Sequence, residues 1–147
     1  MESIQRVSKT YLARNTRRVI NEVQRGYTAV IESHGEPEVA VIDITDFYIL
    51  RAVLRYHARQ PEIDAQGGLA GAAVAGLDNS QARYDLVLAH YLAGAISLGR
   101  AAELLNLPWL DLRTRFLRLE VPLRTAPATL EEARADAETA RAWGQPS

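Results

Sequence analysis

The chain has 147 residues, a net charge of −1 and a hydrophobic content of 48%. This length allows one compact domain or two small ones, and the hydrophobic content argues against disorder over the whole chain. The absence of cysteine excludes disulfides and cysteine-based metal sites and is typical of a reducing compartment. We expect a cytoplasmic protein without a membrane span, because residues 1–6 lack a signal-peptide core and the weakly apolar run 68–77 is too short to cross a bilayer.

Charge is distributed unevenly along the chain. Residues 1–30 carry six basic side chains against two acidic ones, a net charge of +4. Residues 31–50 carry five acidic side chains and neither lysine nor arginine. Binding of nucleic acid by a nearly neutral protein depends on such local asymmetry, so the N-terminal segment is the first candidate surface.

Residues 8–25 have the apolar spacing of one amphipathic helix, with Ser8 or Thr10 as N-cap and Gly26 as the stop. A second face of this helix is basic and consists of Arg14, Arg17, Arg18 and Arg25. An ion pair between Arg18 and Glu22, one turn apart, would neutralise part of that face.

Two β-branched runs follow, residues 28–33 and 39–44, and residues 34–37 between them are typical of a hairpin turn. Both alternating sets of side chains in the second run are apolar. This pattern predicts a strand covered on both faces, and a lone hairpin does not supply such cover.

A second helix is expected after a cap at Thr45 or Asp46. Its predicted buried stripe is Phe47, Leu50, Val53 and Leu54, and its predicted outer face carries Arg51, Arg55 and Arg59. The first domain is therefore expected over residues 1–60. A unit of this size buries little of its surface alone, which predicts a homodimer.

The remainder of the chain is predicted to be a linker followed by helices. Residues 61–79 contain four of the nine glycines and are predicted to be a linker. Residues 80–125 form the expected helical module, in which Ser97 and Pro108 start two short helices joined by a tight turn, as in a helix-turn-helix. Leu112, Phe116 and Leu119 are expected to face inward from the second of these helices. Residues 126–147 are an acidic tail whose Thr129 and Glu132 form a capping box.

Four segments of the first 55 residues follow one another in order and without gaps, Val7 to Asn15, Val19 to Gly26, Val30 to Pro37 and Val39 to Phe47. This ordered series resembles the Phd/YefM antitoxin family. It implies an α+β fold with a small antiparallel sheet, a homodimer, and contact of the N-terminal strand and first helix with operator DNA. The DNA-binding residues that it implies are Ser8, Lys9, Thr10, Arg14, Asn15, Arg17 and Arg18. Tyr11 and Glu36 depart from the family's usual residues.

A second stretch, Gly94 to Leu105 and less strongly Trp109 to Pro122, is similar to short bacterial helical proteins often encoded beside PIN-type nucleases. It implies an antitoxin whose partner toxin is a ribonuclease. Arg113, Arg115 and Arg118 are candidates for a second DNA contact, although residues two apart do not share a helix face. The alternative for this helix is a packing or dimerisation module. An acidic segment can occupy a basic toxin cleft, and the candidate toxin contacts in the tail are Leu130, Glu131, Ala133, Ala137 and Trp143.

Other functions remain as alternatives, namely a transcriptional regulator or adaptor without a toxin and a metal-dependent nuclease. The nuclease would use an acidic cluster of Glu32, Asp43 and Asp46. The sequence lacks a phosphate-binding glycine loop, a nucleophile elbow and a zinc-protease motif. His34, His57 and His90 have no ligand spacing. We expect no enzyme activity, no metal and no cofactor.

Overall fold

The computed structural model describes residues 4–124, which form an α+β protein with three strands and seven helices. The chain divides into an N-terminal unit, Met1–Phe47, and a C-terminal unit, Tyr48–Ser147. The elements in chain order are β1 (Ile4–Ser8), α1 (Lys9–Arg14), α2 (Thr16–Gln24), β2 (Thr28–Ser33), β3 (Glu36–Val41), α3 (Ile44–Arg59), α4 (Gly71–Ala75), α5 (Ser80–Leu92), α6 (Leu98–Leu104) and α7 (Trp109–Arg118).

The sheet of the N-terminal unit is mixed, so the expectation of an antiparallel sheet is wrong. β2 lies in the centre and pairs in parallel with β1 and antiparallel with β3. The parallel pairing follows from the connection between β1 and β2, because a helical crossover returns the chain to the end at which it started. That crossover consists of α1 and α2.

The hairpin between β2 and β3 is tighter than the sequence predicted. His34 and Gly35 both have positive φ angles, 52° and 78°, and form a two-residue turn. Turns with this geometry match the twist of the paired strands. Pro37 lies within β3, and the edge position of β3 tolerates it because an edge strand needs fewer backbone donors.

The core of the N-terminal unit is small. It consists of five buried side chains contributed by β1, α2 and β2, namely Val7, Val19, Val23, Ala29 and Ile31. β3 gains little cover within the described chain, since Val39 is 57% exposed and Ala40 is also exposed. The predicted burial of this strand on both faces is therefore absent from a single chain over residues 4–124.

α3 differs from its prediction at both its cap and its buried face. The carboxylate of Asp43 accepts hydrogen bonds from the backbone amides of Thr45 and Asp46, at 3.0 and 3.4 Å. Asp43 therefore caps the helix, because a side-chain acceptor two or three residues ahead satisfies those amides. Ile49 and Ala52 are the residues of this helix in the core of the C-terminal unit.

The face of α3 that was expected to be buried is exposed or only half-buried, although Val53 packs against the core of the C-terminal unit. Leu54 is 69% and Phe47 is 39% exposed, while Leu50 and Val53 are half-buried. Because Ile49 and Ala52 pack into the second core, the structure divides the chain within the first turn of α3 rather than at Gln60.

Residues 61–79, predicted to be a linker, include a short helix and a core residue. They contain α4, and Val74 is only 3% exposed within the core of the C-terminal unit. The guanidinium of Arg100 donates a hydrogen bond of 3.0 Å to the carbonyl of Leu69. The segment is therefore held by packing and by a long-range hydrogen bond, which composition alone did not predict.

α5, α6 and α7 form the predicted helical module. Tyr84, Val87, Leu88 and Tyr91 of α5 are buried. The hydroxyl of Ser97 accepts from the amide of Arg100 at 3.0 Å, which confirms Ser97 as the N-cap of α6. Over residues 4–124, no helix is both long and apolar enough to cross a membrane.

Candidate nucleic-acid interface

The predicted helix over residues 8–25 is broken at Asn15 into α1 and α2. The side-chain amide of Asn15 donates to the carbonyl of Tyr11 at 3.1 Å, and the hydroxyl of Thr16 donates to the carbonyl of Leu12 at 2.7 Å. Short polar side chains that bond to preceding carbonyls compete with the backbone ladder and bend or end helices. The arginines expected on one straight face are therefore carried by two short helices.

The start of α1 is occupied by its own cap. The hydroxyl of Ser8 accepts a hydrogen bond of 3.0 Å from the amide of Tyr11. α1 has only six residues, and this cap uses the Tyr11 amide that phosphate would otherwise contact. Ser8, Lys9 and Thr10 are exposed, so their side chains rather than this amide are accessible to a ligand.

Half of the basic side chains in the N-terminal unit are paired with carboxylates. The charged atoms of Lys9 and Glu38 lie 2.7 Å apart, and those of Arg6 and Glu32 lie 3.2 Å apart. Arg25 pairs with Glu22 at 3.3 Å, so the expected Arg18–Glu22 pair does not form. These pairs are on the surface, where each contributes at most about 1 kcal/mol.

The other three basic side chains of the N-terminal unit are exposed to solvent, namely Arg14, Arg17 and Arg18. Within the described part of the chain none of the three makes an ion pair or a side-chain hydrogen bond. They cluster in sequence at the end of α1 and the start of α2. The N-terminal unit as a whole carries six basic and seven acidic side chains. Its cationic character is therefore local and comes from which arginines are left unpaired.

An open concavity of about 730 Å³ runs along this cationic surface. Four arginines line it, Arg14, Arg17, Arg18 and Arg25, against a single carboxylate, that of Glu22. Asn21 and Gln24 also line it and had not been identified from the sequence. Their spacing from Arg17, at i+4 and i+7, was the available signal, because residues so spaced share a helix face.

This combination of side chains fits nucleic acid. Guanidinium groups bind phosphate and read guanine, and carboxamides pair with adenine through one donor and one acceptor. The structure thus brings Arg14, Arg17 and Arg18 together with two further polar residues. Lys9 and Asn15, predicted for the same surface, are already engaged by Glu38 and by the backbone of Tyr11.

Comparison with protein-family models, curated proteins and solved structures found no match to the chain. The functional assignment therefore depends on the geometry of these residues, and the resemblance of residues 1–55 to the Phd/YefM family stays an expectation from the sequence.

The second candidate DNA contact lies on α7. Leu112 and Phe116 are buried as predicted, and Asn106 takes a positive φ of 57° in the turn before the helix. The guanidinium of Arg115 lies 2.9 Å from the carboxylate of Asp111, and its side chain is only 14% exposed. Arg115 is thus held within the module and is unfavourably placed for DNA.

The exposed stripe of α7 is largely apolar. Arg113 and Thr114 stand between Leu110 and Leu117, which are 49% and 53% exposed. Arg118, the third candidate, is half-buried. A stripe with two leucines and one open arginine favours protein contact over phosphate contact, since exposed apolar side chains gain nothing from DNA phosphates.

The candidate toxin contacts lie outside the residues that the structure describes. They are Leu130, Glu131, Ala133, Ala137 and Trp143.

The carboxylates considered for a nuclease have structural partners. Glu32 pairs with Arg6, and Asp43 caps α3. Between residues 4 and 124, no three histidine or carboxylate side chains come together as a potential metal site.

Proposed function

We propose that the protein is an antitoxin of a type II toxin–antitoxin pair, which binds operator DNA of its own operon and neutralises a protein toxin. The DNA-binding part of this proposal is supported by one observation. Three unpaired arginines, Arg14, Arg17 and Arg18, lie beside free carboxamides on one concave surface. The resemblance of residues 1–55 to the Phd/YefM family supports the same assignment and adds the toxin.

The proposed DNA-binding form is a homodimer. The N-terminal unit buries only five core side chains, and it exposes Ile4, Tyr11, Ile20, Tyr27, Val39, Ile44 and Phe47. A unit with so little core and so much exposed apolar surface gains stability when another copy covers that surface. Pairing two copies also doubles the number of unpaired arginines to six.

The salt dependence of binding follows from those six arginines. Each phosphate neutralised on duplex DNA lowers log K by about 0.9 per tenfold rise in salt. Six contacts give a slope of about −5, so the affinity falls about a thousandfold between about 50 and 200 mM salt. Steep salt dependence therefore distinguishes this surface from one that binds through apolar contacts.

The proposed toxin contact is the acidic segment 126–147, whose charge suits the basic cleft of a ribonuclease such as a PIN-type enzyme. The exposed stripe of α7 is a second candidate for protein contact. The proposed antitoxin acts in the cytoplasm and needs no cofactor.

The DNA-binding half is tested by mobility shift on the DNA upstream of the protein's own gene, measured at several salt concentrations. The triple variant Arg14→Ala, Arg17→Ala, Arg18→Ala is expected to lose most of the affinity and most of the slope. Arg59→Ala is the matched control, because Arg59 is exposed and has no ion-pair partner among residues 4–124. Equal binding by the triple variant and the control would remove this surface from DNA recognition.

The toxin half is tested separately with a chain that ends at Arg124. A chain ending at Gln60 is unsuitable, because Ile49 and Ala52 would lose the core into which they pack. The chain ending at Arg124 is expected to bind DNA but not to rescue cells that express the neighbouring gene. Full rescue would show that the acidic segment is dispensable for neutralisation.

A transcriptional regulator without a toxin is the second candidate. One observation favours it, an open cavity of about 640 Å³ in the C-terminal unit, lined by apolar residues such as Ile63, Leu77 and Leu86. Cavities of this size and lining are typical of small-molecule sites. Growth arrest on expression of the neighbouring gene alone, relieved by co-expression of this protein, would favour the antitoxin.

A further inference from the structure

We propose that Asn21 reads a base pair, an adenine with its thymine, from the centre of the cationic surface, while the arginines around it hold phosphates. This inference rests on the proposed DNA binding and assigns a residue that the sequence did not single out. It follows from the position of Asn21 on α2, from its free carboxamide and from the charges on either side.

The position of Asn21 is fixed by the packing of α2. Successive helical residues are rotated by about 100°, so Asn21 lies about 160° from both Val19 and Val23. Those two valines are 0% and 4% exposed and face the core. Asn21 therefore points away from the core, at the middle of the exposed face of the helix.

The charges are arranged on both sides of this position. By the same rotation, Arg17 and Arg18 lie within about 60° of Asn21, one on each side. Both line the concavity with Asn21, and neither has an ion-pair partner in the described part of the chain. A groove of DNA presents base edges between two sugar-phosphate backbones. A neutral amide between two cations matches this arrangement, because phosphate contacts position a protein and base-edge contacts specify the sequence.

Asn21 is the asparagine of this surface whose carboxamide is free. Asn15 donates its amide to the carbonyl of Tyr11 at 3.1 Å and ends α1 by doing so. The side chain of Asn21 is exposed and has no hydrogen-bond partner within residues 4–124. Reading adenine needs one donor and one acceptor together, and only an unengaged carboxamide offers both without a structural cost.

The dimensions of α2 suit the major groove. Its nine residues span about 13 Å, and a helix with its side chains is about 10–12 Å wide. The major groove of B-form DNA is about 12 Å wide and admits a helix. Asn21 lies midway between Arg17 and Arg25 in the sequence. Its carboxamide is therefore central along the length of α2 as well as across the exposed face of the helix.

The test is selection of bound duplexes from a random-sequence pool by the full chain and its variants. Asn21→Ala is expected to lose discrimination at one A·T position per half-site, by about 5- to 150-fold, with the salt slope unchanged. Arg17→Ala is expected to keep the base preferences while its affinity falls for every sequence and its slope falls by about 0.9 per subunit. Gln66→Ala, which removes an exposed carboxamide of the C-terminal unit, is the matched control and should retain both properties.

Three results decide the matter. If Asn21→Ala selects the same motif with the same preferences, or loses affinity uniformly as Arg17→Ala does, Asn21 does not read a base. If the wild type enriches no motif, both the proposed operator binding and the proposed role of Asn21 are refuted. Folding of the variant is checked by its circular dichroism and melting temperature, which should not fall, because alanine favours an exposed helical position more than asparagine does.

Discussion

The ion pair between Lys9 and Glu38 holds a candidate DNA-binding cation against the hairpin. Their charged atoms lie 2.7 Å apart, and the side chains are 61% and 44% exposed. We expect Glu38→Gln to release Lys9 for phosphate and to remove a carboxylate that repels DNA. The substitution should therefore strengthen DNA binding without loosening the fold.

The magnitude follows from the exposure of the pair and from one new phosphate contact per subunit. Because exposed ion pairs contribute at most about 1 kcal/mol, the free energy of unfolding should change by less than that. One further contact steepens the salt slope by about 0.9 per subunit. The advantage of the variant over the wild type should thus grow by about 3.5-fold per subunit as salt falls from about 200 to about 50 mM.

The assay is a fluorescence-anisotropy titration of labelled duplex at four salt concentrations, with urea unfolding of the same samples. Glu36→Gln is the matched control, since Glu36 lies in the same strand, is exposed and has no ion-pair partner among the described residues. Equal slopes for Glu38→Gln and Glu36→Gln would show that only general charge had changed. An unchanged slope for both would refute a role for Lys9 at phosphate.

Three further predictions concern the core, the dimer and the cationic surface. Val19→Ala truncates a fully buried side chain of a five-residue core and should lower the free energy of unfolding in urea by about 2 kcal/mol. Val39→Ala, at a 57% exposed position, should lower it by under about 0.5 kcal/mol. Phe47→Glu places a charge on the exposed apolar surface of the N-terminal unit and should convert the proposed dimer to monomer in sedimentation equilibrium. Leu117→Glu on α7 should not, and the reverse result would place the interface on α7. Arg18→Ala should weaken DNA binding more than Arg25→Ala, because Glu22 already neutralises Arg25; a larger loss from Arg25→Ala would contradict the pairing.

The sequence predicted features that depend on short-range periodicity. The strands β2 and β3, the helices α3, α5, α6 and α7, the cap at Ser97 and the burial of Leu112 and Phe116 were expected from spacing and are confirmed. These features are local, since a helix face or a cap is decided by residues within one or two turns.

Features decided by tertiary contacts were not predicted from spacing. The strand β1 was implied only by the resemblance to the Phd/YefM family, and it exists because its residues pair with β2, which lies more than twenty residues further along the chain. The buried face of α3 was assigned to Phe47, Leu50, Val53 and Leu54. The structure buries Ile49 and Ala52 instead, with only Val53 of the predicted set packed beside them against the core of the C-terminal unit. Helical spacing alone gives α3 two apolar faces and does not choose between them.

The sequence identified some residues of the candidate site but not its electrostatics. Arg14, Arg17 and Arg18 were identified from the charge pattern and from the resemblance, but which cations are neutralised depends on contacts such as Lys9 with Glu38, twenty-nine residues apart. The break of the helix at Asn15 was not predicted either, because the apolar spacing continues through this residue. The side-chain hydrogen bonds of Asn15 and Thr16 to preceding carbonyls produce the break.

The central claim, that Arg14, Arg17 and Arg18 of the full chain contact DNA phosphates, is tested most directly by arginine footprinting. Phenylglyoxal modification is measured residue by residue by mass spectrometry, with and without saturating duplex. We expect DNA to protect these three arginines while Arg59 and Arg113 react as before. Undiminished modification of the three, together with protection of Arg113, would contradict the claim and move the DNA surface to α7.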